Sequence, residues 1–392
     1  MQRVHAIFLI LIITLIFWRF LAAPVFAQEV VIDTTVLLKA RVIAVSESPQ
    51  KALPGVSISS ETQMISVELL EGERKGTTVS IFNDYLPFSE GDLLYVLHTT
   101  NPIDGIDTYA VSEPYRLPAL LLFFVLFILV VFAVGGKQGI RGLAALAGGL
   151  ALIGSFLLPG IIAGYSPVLV SVIVASLISI LGSYVTHGFN KTTSSAVLGM
   201  VATILFTGAL AFLAVHLTRL TGLYSEDAVY LNFDTKGTID LQGLLLGSII
   251  IGLLGGLYDA AIGQAAAVDE LRSVAPHLPR TVIYRRAVRI GREHIGALVN
   301  TLAIAYVGAA LPLILLFYNS ASGSTLSHLN QEVFATEIIR TLVGSIGLVL
   351  AVPLTTVIAV WMLFPKKEEA SAEVLKQEEK LLSRIGHTHS HT

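Results

Sequence analysis

No cysteine occurs among the 392 residues. That excludes disulfides, thiolate nucleophiles, iron–sulfur clusters and cysteine-ligated zinc. Charge is also scarce, with 14% Asp, Glu, Lys and Arg together, against about a quarter in an ordinary soluble chain. The short motifs that mark common enzymes are missing as well. No Gly-x-x-x-x-Gly-Lys-[Ser/Thr] loop is present, so ATP hydrolysis by that route is excluded. Arg292-Glu293-His294 has no second histidine, so it is not a zinc-protease helix. Tyr258-Asp259 fits one half of an intramembrane aspartyl protease; the other half needs a second aspartate in an apolar Gly-x-Gly-Asp setting, and Gly91-Asp92 lies in a polar region. The expectation is a protein that is not an enzyme, with no cofactor and no metal site.

Apolar residues, by contrast, make up 54% of the chain and are gathered into runs. About twenty apolar residues cross the roughly 30 Å of bilayer hydrocarbon as a helix. Seven segments qualify: Leu117–Val134, Leu143–Ile162, Pro167–Tyr184, Ser195–Leu217, Leu241–Gln264, Ile295–Tyr318 and Ile338–Leu363. Residues 117–364 are therefore read as a seven-helix transmembrane domain of a polytopic α-helical protein, with the lipid bilayer as its first partner. Pro159, Pro312 and Pro353 fall inside these runs. Each frees a backbone carbonyl, which is tolerable at membrane depth only where neighbouring helices or water satisfy it.

Residues 1–27 carry Arg3, an apolar run from Ala6 to Phe17 and small residues up to Ala27, which reads as a signal peptide or a signal anchor. Residues 28–116 are different in kind. Alternating runs at Val36–Val45, Gln63–Leu70, Thr77–Phe82, Asp92–His98 and Thr108–Ser112 are separated by Pro54-Gly55, Glu71-Gly72, Gly91-Asp92 and Asp104-Gly105. Five short strands with such turns predict a small antiparallel barrel or sandwich, OB-like in type. Thirteen acidic against six basic residues in this region would repel phosphate, so no nucleic-acid partner is expected.

Orientation follows from Lys and Arg. Lys137 and Arg141, then Lys191, then Arg272, Arg280, Arg285, Arg286, Arg289 and Arg292, then Lys366 and Lys367 fall in alternate connectors. This places the β-rich domain outside the cytoplasm and the arginine loop and tail inside it. Arg280–Arg292 has Ile283, Ala287 and Ile290 on one side and arginines on the other, with Val282 as an exception, which fits either a short helix lying in the inner interface or a topology signal with no further role. Residues 365–392 form a charged tail ending in His387, His389 and His391.

An aspartate inside an apolar run is costly unless it faces protein or water, and so marks a candidate site. Asp259 shares a helix face with Gly255 and Gly263, four residues away on either side. Asn300, in the next apolar segment, shares a face with Gly296. With Gln264 and Tyr306 nearby, the set suits either a proton- or cation-coupled pathway or a hydrogen-bonded clamp between helices. The repeated small residues Gly252, Gly255, Gly256, Gly263 and Gly296 predict close helix packing. Glu270 and Arg292 mark the cytoplasmic edge.

Three stretches carry a resemblance: Gly188-Phe189-Asn190-Lys191-Thr192 with Gly199, Gly252-x-x-Gly255-Gly256-x-x-Asp259 with Glu270, and Gly291-Arg292-x-x-x-Gly296-x-x-x-Asn300 with Tyr306. Over roughly Leu117 to Val360 the chain resembles the YibE/YibF-like multi-pass membrane proteins of bacteria. The resemblance implies an inner-membrane protein with an outer β-domain, adds Asn190 and Lys191 to the polar core, and allows a homo- or hetero-oligomer with a paralogue. It supplies no reaction. Where the family often has serines after the aspartate, this chain has Gly263, Gln264 and Ala266. Two functions follow as expectations: a secondary transporter or permease subunit using Asp259 and Asn300, or a non-transporting assembly or sensor protein whose outer domain binds a partner.

Overall fold

The computed structural model describes residues 34–47, 62–84, 86–101, 106–319 and 325–364. The expected signal segment at residues 1–27 and the tail at 365–392 lie outside the described residues. The chain divides into two compact units at Val134 and Gly135.

The first unit holds a five-stranded antiparallel sheet: β1 (Thr34–Glu47), β2 (Gln63–Leu69), β3 (Thr78–Asn83), β4 (Leu93–Thr100) and β5 (Asp107–Pro114), in the order β3-β2-β1-β4-β5. All five expected strands are present, their ends shifted by no more than a few residues. The long β1 serves two neighbours. Its first half pairs with β4 and its second half with β2, and a register shift between Val42 and Ala44 falls where it changes partner. Such a bulge bends and twists a strand. The edge strands β3 and β5 approach each other, so the sheet curls into a half-barrel. Alternation supplies the core: Leu38, Ala40 and Val42 of β1 face Ile65, Val67 and Leu69 of β2 and Leu94 and Val96 of β4. Phe88 closes one end, its backbone held by the buried Gln63 amide, which accepts from Phe88 N at 2.8 Å and donates to Phe88 O at 3.2 Å.

Helices follow. α1 spans Leu117–Leu152, continues through a π-helical turn at Ile153–Leu157 and ends in α2 (Leu158–Ile162). After it come α3 (Pro167–His187), α4 (Lys191–Thr218), α5 (Glu226–Asp234), α6 (Leu241–Gly252), α7 (Leu254–Val274), α8 (Arg280–Ala309), α9 (Leu311–Asn319), α10 (Thr325–Leu329) and α11 (Glu332–Leu363).

Five helical stretches among the described residues are long and apolar enough to cross a membrane: Leu117–Ile162, Pro167–His187, Lys191–Thr218, Leu241–Val274 and Glu332–Leu363. A sixth is counted if α8 and α9, bent by 65°, are taken together. The seven separate segments expected from the sequence are thus not seven separate helices. Leu117–Val134 and Leu143–Ile162 belong to one 46-residue stretch. Straight, it would run about 69 Å, but Gly136 interrupts it with φ 52 and ψ −135. Pro159 explains the π turn before α2, since proline removes a donor from the preceding turn. Pro312, second residue of α9, explains the bend after α8. Pro353 sits within α11 without ending it.

α11 is the axis of the helical unit, packing against α4, α7 and α8. Its contact with α4 is built on two glycines and two threonines. Gly199 of α4 lies against Thr355 of α11, and Gly347 of α11 lies against Thr207 of α4. The spacing is eight residues on each helix and the order is reversed, so one antiparallel device is used twice. Small residues let the backbones close to van der Waals distance, the main attraction available between helices in lipid.

The arginine-rich connector is a correction. Arg280–Arg292 is not a separate short helix but the first part of the 30-residue α8. Val282, expected on the basic side, is buried with Ile283 and Ala287, while Ile290 is exposed. The reason is tertiary: this end of α8 packs into the bundle core beside α7 and α11.

Candidate functional site

Asp259 stands near the start of α7, and its face of the helix does what the spacing predicted in part. Gly255, Asp259 and Gly263 do line up. That face is not packed, however: a Cβ at Gly255 or Gly263 would meet nothing within 4 Å. It forms one wall of a cleft of 570 Å³ between α7, α8 and α11. Leu348 and Val352, halfway along α11, close its back. The α8 wall carries His294, Ala297, Leu298 and Thr301. Asp259 is exposed to this space, and among the described residues its carboxylate accepts no hydrogen bond and makes no ion pair.

Gln264 forms the floor and is a clamp. It is 3% exposed, and its Nε2 donates to Ala287 O of α8 and to Thr356 Oγ1 of α11, both at 2.8 Å. One amide therefore ties together the three helices that make the cleft. Gly291 makes room for it: a Cβ there would fall 2.5 Å from Gln264 Oε1. The neighbouring Tyr258 turns the other way, its hydroxyl donating to Gly182 O of α3 at 3.1 Å and contacting Thr186 Oγ1.

The remaining expected residues are dispersed. Asn300 is exposed on α8 but does not line the cleft; its neighbour Thr301 does. Tyr306 lies elsewhere, with Glu337 along an apolar cavity of 380 Å³ between α8, α9 and α11. Asn190 is the N-cap of α4, its Oδ1 accepting from Thr193 N at 2.7 Å. This is a structural cap that satisfies an orphan donor of the first turn. Lys191, Glu270 and Arg292 are exposed. Of the predicted packing glycines, Gly252 approaches Tyr306 Oη and Gly256 approaches Leu348, whereas Gly296, like Gly255 and Gly263, meets nothing. The close contacts of Gly199, Gly291 and Gly347 had no such prediction attached.

Two polar fasteners mark the bundle's ends. Thr192 Oγ1 donates to Asp269 Oδ2 at 2.7 Å, joining α4 to α7. Far from these, Glu332 at the start of α11 accepts from Thr221 N at 2.7 Å and Gly222 N at 2.9 Å. Asp259 and its cleft stand between these two levels.

In the first unit, β4 and β5 bring together a second polar group beside a cavity of 480 Å³. Asp107 Oδ1 accepts from Thr100 Oγ1 at 2.7 Å and lies 2.9 Å from His98 Nε2, and its other oxygen pairs with Arg74. His98 stacks on Tyr109 with ring centres 4.6 Å apart. The Thr100 and His98 hydrogen bonds, then the Arg74 charge, hold the Asp107 carboxyl below its ordinary value. No group of three or more His, Cys, Asp or Glu able to hold a metal occurs among the described residues.

Several helices long and apolar enough to cross a membrane, beside a small β-domain, are the make-up of an α-helical membrane protein. The sequence model of the YibE/F-like protein family matches residues 123–365. The chain belongs to that family. No curated protein and no solved structure matches it.

Proposed function

We propose that the chain is a secondary transporter or permease subunit in which Asp259 carries a proton or binds a cation. One observation supports this above the others: a carboxylate on a membrane-length helix opens onto a 570 Å³ cleft and has no partner among the described residues. A carboxylate at this depth is expensive, and a clamp residue would have spent that cost on a hydrogen bond. Gln264 has done so; Asp259 has not. Around it, His294 and Thr301 offer a titratable ring and a hydroxyl to a passing ion, while Asn300 is one position away from the cleft. In this reading no covalent bond is made or broken, so the protein is not an enzyme.

The remaining assignments belong to the same proposal. With α8 and α9 taken as one span, reading the break at Gly136 as the join between two crossings gives seven, an odd count. Arginine placement supports a β-domain outside the cytoplasm, and membership of the family supports a bacterial inner membrane as its place. The strand order, with β1 paired to both β2 and β4 and the two edges approaching, supports an OB-like half-barrel.

The test uses the full chain in proteoliposomes containing a pH-sensitive dye, with an imposed potassium diffusion potential. Wild type should admit protons faster than protein-free vesicles, and Asp259→Asn should abolish the excess while leaving the melting temperature unchanged. Equal flux through Asp259→Asn and wild type would refute the role of the carboxylate. A melting temperature lowered by several degrees would return Asp259 to the status of a clamp.

A second reading is favoured by the cavity beside Arg74, His98, Asp107 and Tyr109. There the chain is a sensor or assembly protein whose β-domain takes a partner. Failure of Arg74→Ala to complement a deletion strain that the wild-type chain complements, with proton flux intact, would select it.

A further inference from the structure

The end of the bundle where α8 begins and α11 stops carries another cavity, of 540 Å³, unrelated to the Asp259 cleft. Its walls are apolar and aromatic. Val357 and Trp361 of α11 are 53% and 69% exposed there, and Tyr284 of α8 stands opposite. Its rim is cationic, formed by Arg280 and Arg285.

The two arginines have different employment. Arg280 Nε donates to Phe364 O at 2.8 Å, and a second guanidinium nitrogen reaches the same oxygen. It thus ties the last carbonyls of α11 to the start of α8 and cancels the negative end of that helix. Arg285 is exposed and has no hydrogen-bond or ion-pair partner among the described residues. An open apolar trough, an interfacial indole and phenol, and a free guanidinium at one end match a single kind of molecule. A soluble anion would leave the apolar wall unused, and a neutral lipid would leave the guanidinium unused. Tryptophan and tyrosine sit at headgroup depth in membranes, and a guanidinium engages phosphate through paired N–H donors.

We propose that this groove holds an anionic phospholipid, its phosphate on Arg285 and an acyl chain along Val357 and Trp361. The site fastens the start of α8 to the end of α11 from outside, as Arg280 does from within.

The experiment measures lipid retention by the full-length chain in non-ionic detergent, using native mass spectrometry with phosphatidylglycerol, phosphatidylcholine or inorganic phosphate added. Phosphatidylglycerol should be retained over phosphatidylcholine. Arg285→Gln should weaken retention about fivefold, the scale of one arginine near an anionic headgroup, and Val357→Phe should weaken it by filling the trough. Both side chains are exposed, so neither change disturbs folding. Arg289→Gln, exposed on the same helix but off the groove, should change retention less than about twofold. Equal losses from Arg285→Gln and Arg289→Gln would reduce the effect to diffuse attraction and overturn the site. Displacement by millimolar phosphate, with Val357→Phe silent, would overturn the acyl-chain assignment. If phosphatidylglycerol bound only after Glu368→Lys and Glu369→Lys, the groove would belong to the chain's own tail and the proposal would fail.

Discussion

Alanine at Gly199 and alanine at Gly255 should have opposite consequences, although both are glycines in apolar helices of the same bundle. At Gly199 a Cβ would lie 2.8 Å from Thr355 Cβ and 2.9 Å from Thr355 Cα, besides contacting the threonine hydroxyl. Ordinary carbon contacts need about 3.5–4.0 Å. The obstacle is main chain, so no rotamer change relieves it, and α4 and α11 must separate by most of an ångström along their whole contact. Overpacking of this kind costs about 1–3 kcal/mol, and the backbone clash puts Gly199→Ala at the upper end. At Gly255 there is nothing within 4 Å, and alanine brings a helix-propensity gain of up to about 1 kcal/mol. The propensity gain is common to both positions, so the two variants should differ by the overpacking cost alone, about 2 kcal/mol or more, a factor of roughly thirty in the unfolding equilibrium. Unfolding of the full chain in mixed micelles, titrated with dodecyl sulfate and followed by circular dichroism, would measure this. Thr355→Ala in the Gly199→Ala background should recover only part of the loss, because the Cα remains in place. If Gly199→Ala and Gly255→Ala unfolded at the same detergent fraction, the close-packed α4–α11 seam would be wrong.

Other outcomes follow from the same geometry. Gln264→Leu should lower stability by about 1–2 kcal/mol, since two hydrogen bonds are lost and Ala287 O is left without its side-chain donor; the same detergent titration reads it. Glu332→Ala should release Thr221 N and Gly222 N, seen as faster amide exchange at those two positions with little change elsewhere. Asp107 should make the β-domain acid-sensitive. Its carboxyl is held below the ordinary value of 3.8 in the fold, so its contribution is complete above that value and is lost as pH falls through the lower folded one. Amide exchange in β4 and β5 should rise over that acidic range in wild type and show a flatter pH profile in Asp107→Asn.

Much of the fold was legible because each level of the sequence carries its own period. In β1 and β2 the alternation of Leu38, Ala40, Val42 and Ile65, Val67, Leu69 is uninterrupted, and turn residues separate the runs, so strand positions could be read directly. Strand order could not, because it depends on where β1 leaves β4 for β2 at Val42–Ala44, and nothing in VLLKARVIAV announces that bulge. The apolar runs gave helix positions, but run length says nothing about what joins two runs. The eight residues between Leu117–Val134 and Leu143–Ile162, all polar or glycine except Ile140, look like a loop, yet helical hydrogen bonding resumes across them after Gly136. Likewise Arg280–Arg292 and the first part of Ile295–Tyr318, as far as Ala309, differ in polarity while sharing one helix, since α8 is amphipathic at its start, where α7 and α11 bury Val282 and Ile283, and apolar afterwards.

Asn300, grouped with Asp259 from the sequence, stands one position off the cleft, and the reason is geometric. A spacing of four fixes which residues of one helix lie together, so Gly255, Asp259 and Gly263 were correctly grouped. It does not fix which face of the next helix turns toward them. Grouping Gly296 with Asn300 selects a stripe on α8; rotating that helix by one residue, about 100°, selects His294, Ala297 and Thr301 instead, and this is the stripe that meets the cleft. The rotation is set by contacts at and beyond the floor of the cleft: the burial of Val282, Ile283, Ala287 and Gly291 at the start of α8, and the Gln264 amide reaching Ala287 O. The signal is present in Ile290, His294, Ala297 and Thr301, whose spacings of four, three and four make one seam, and the amide of Asn300 lies outside that seam. The same logic separates the two polar side chains of α7. Gln264 is buried because it holds the neighbouring helices in that rotation; Asp259, one turn and a half away, is left open onto the cleft whose α8 wall carries His294, Ala297, Leu298 and Thr301. A His294→Leu exchange should therefore alter proton flux without loosening the bundle, and Gln264→Leu should do both, since the cleft exists only while its clamp is closed.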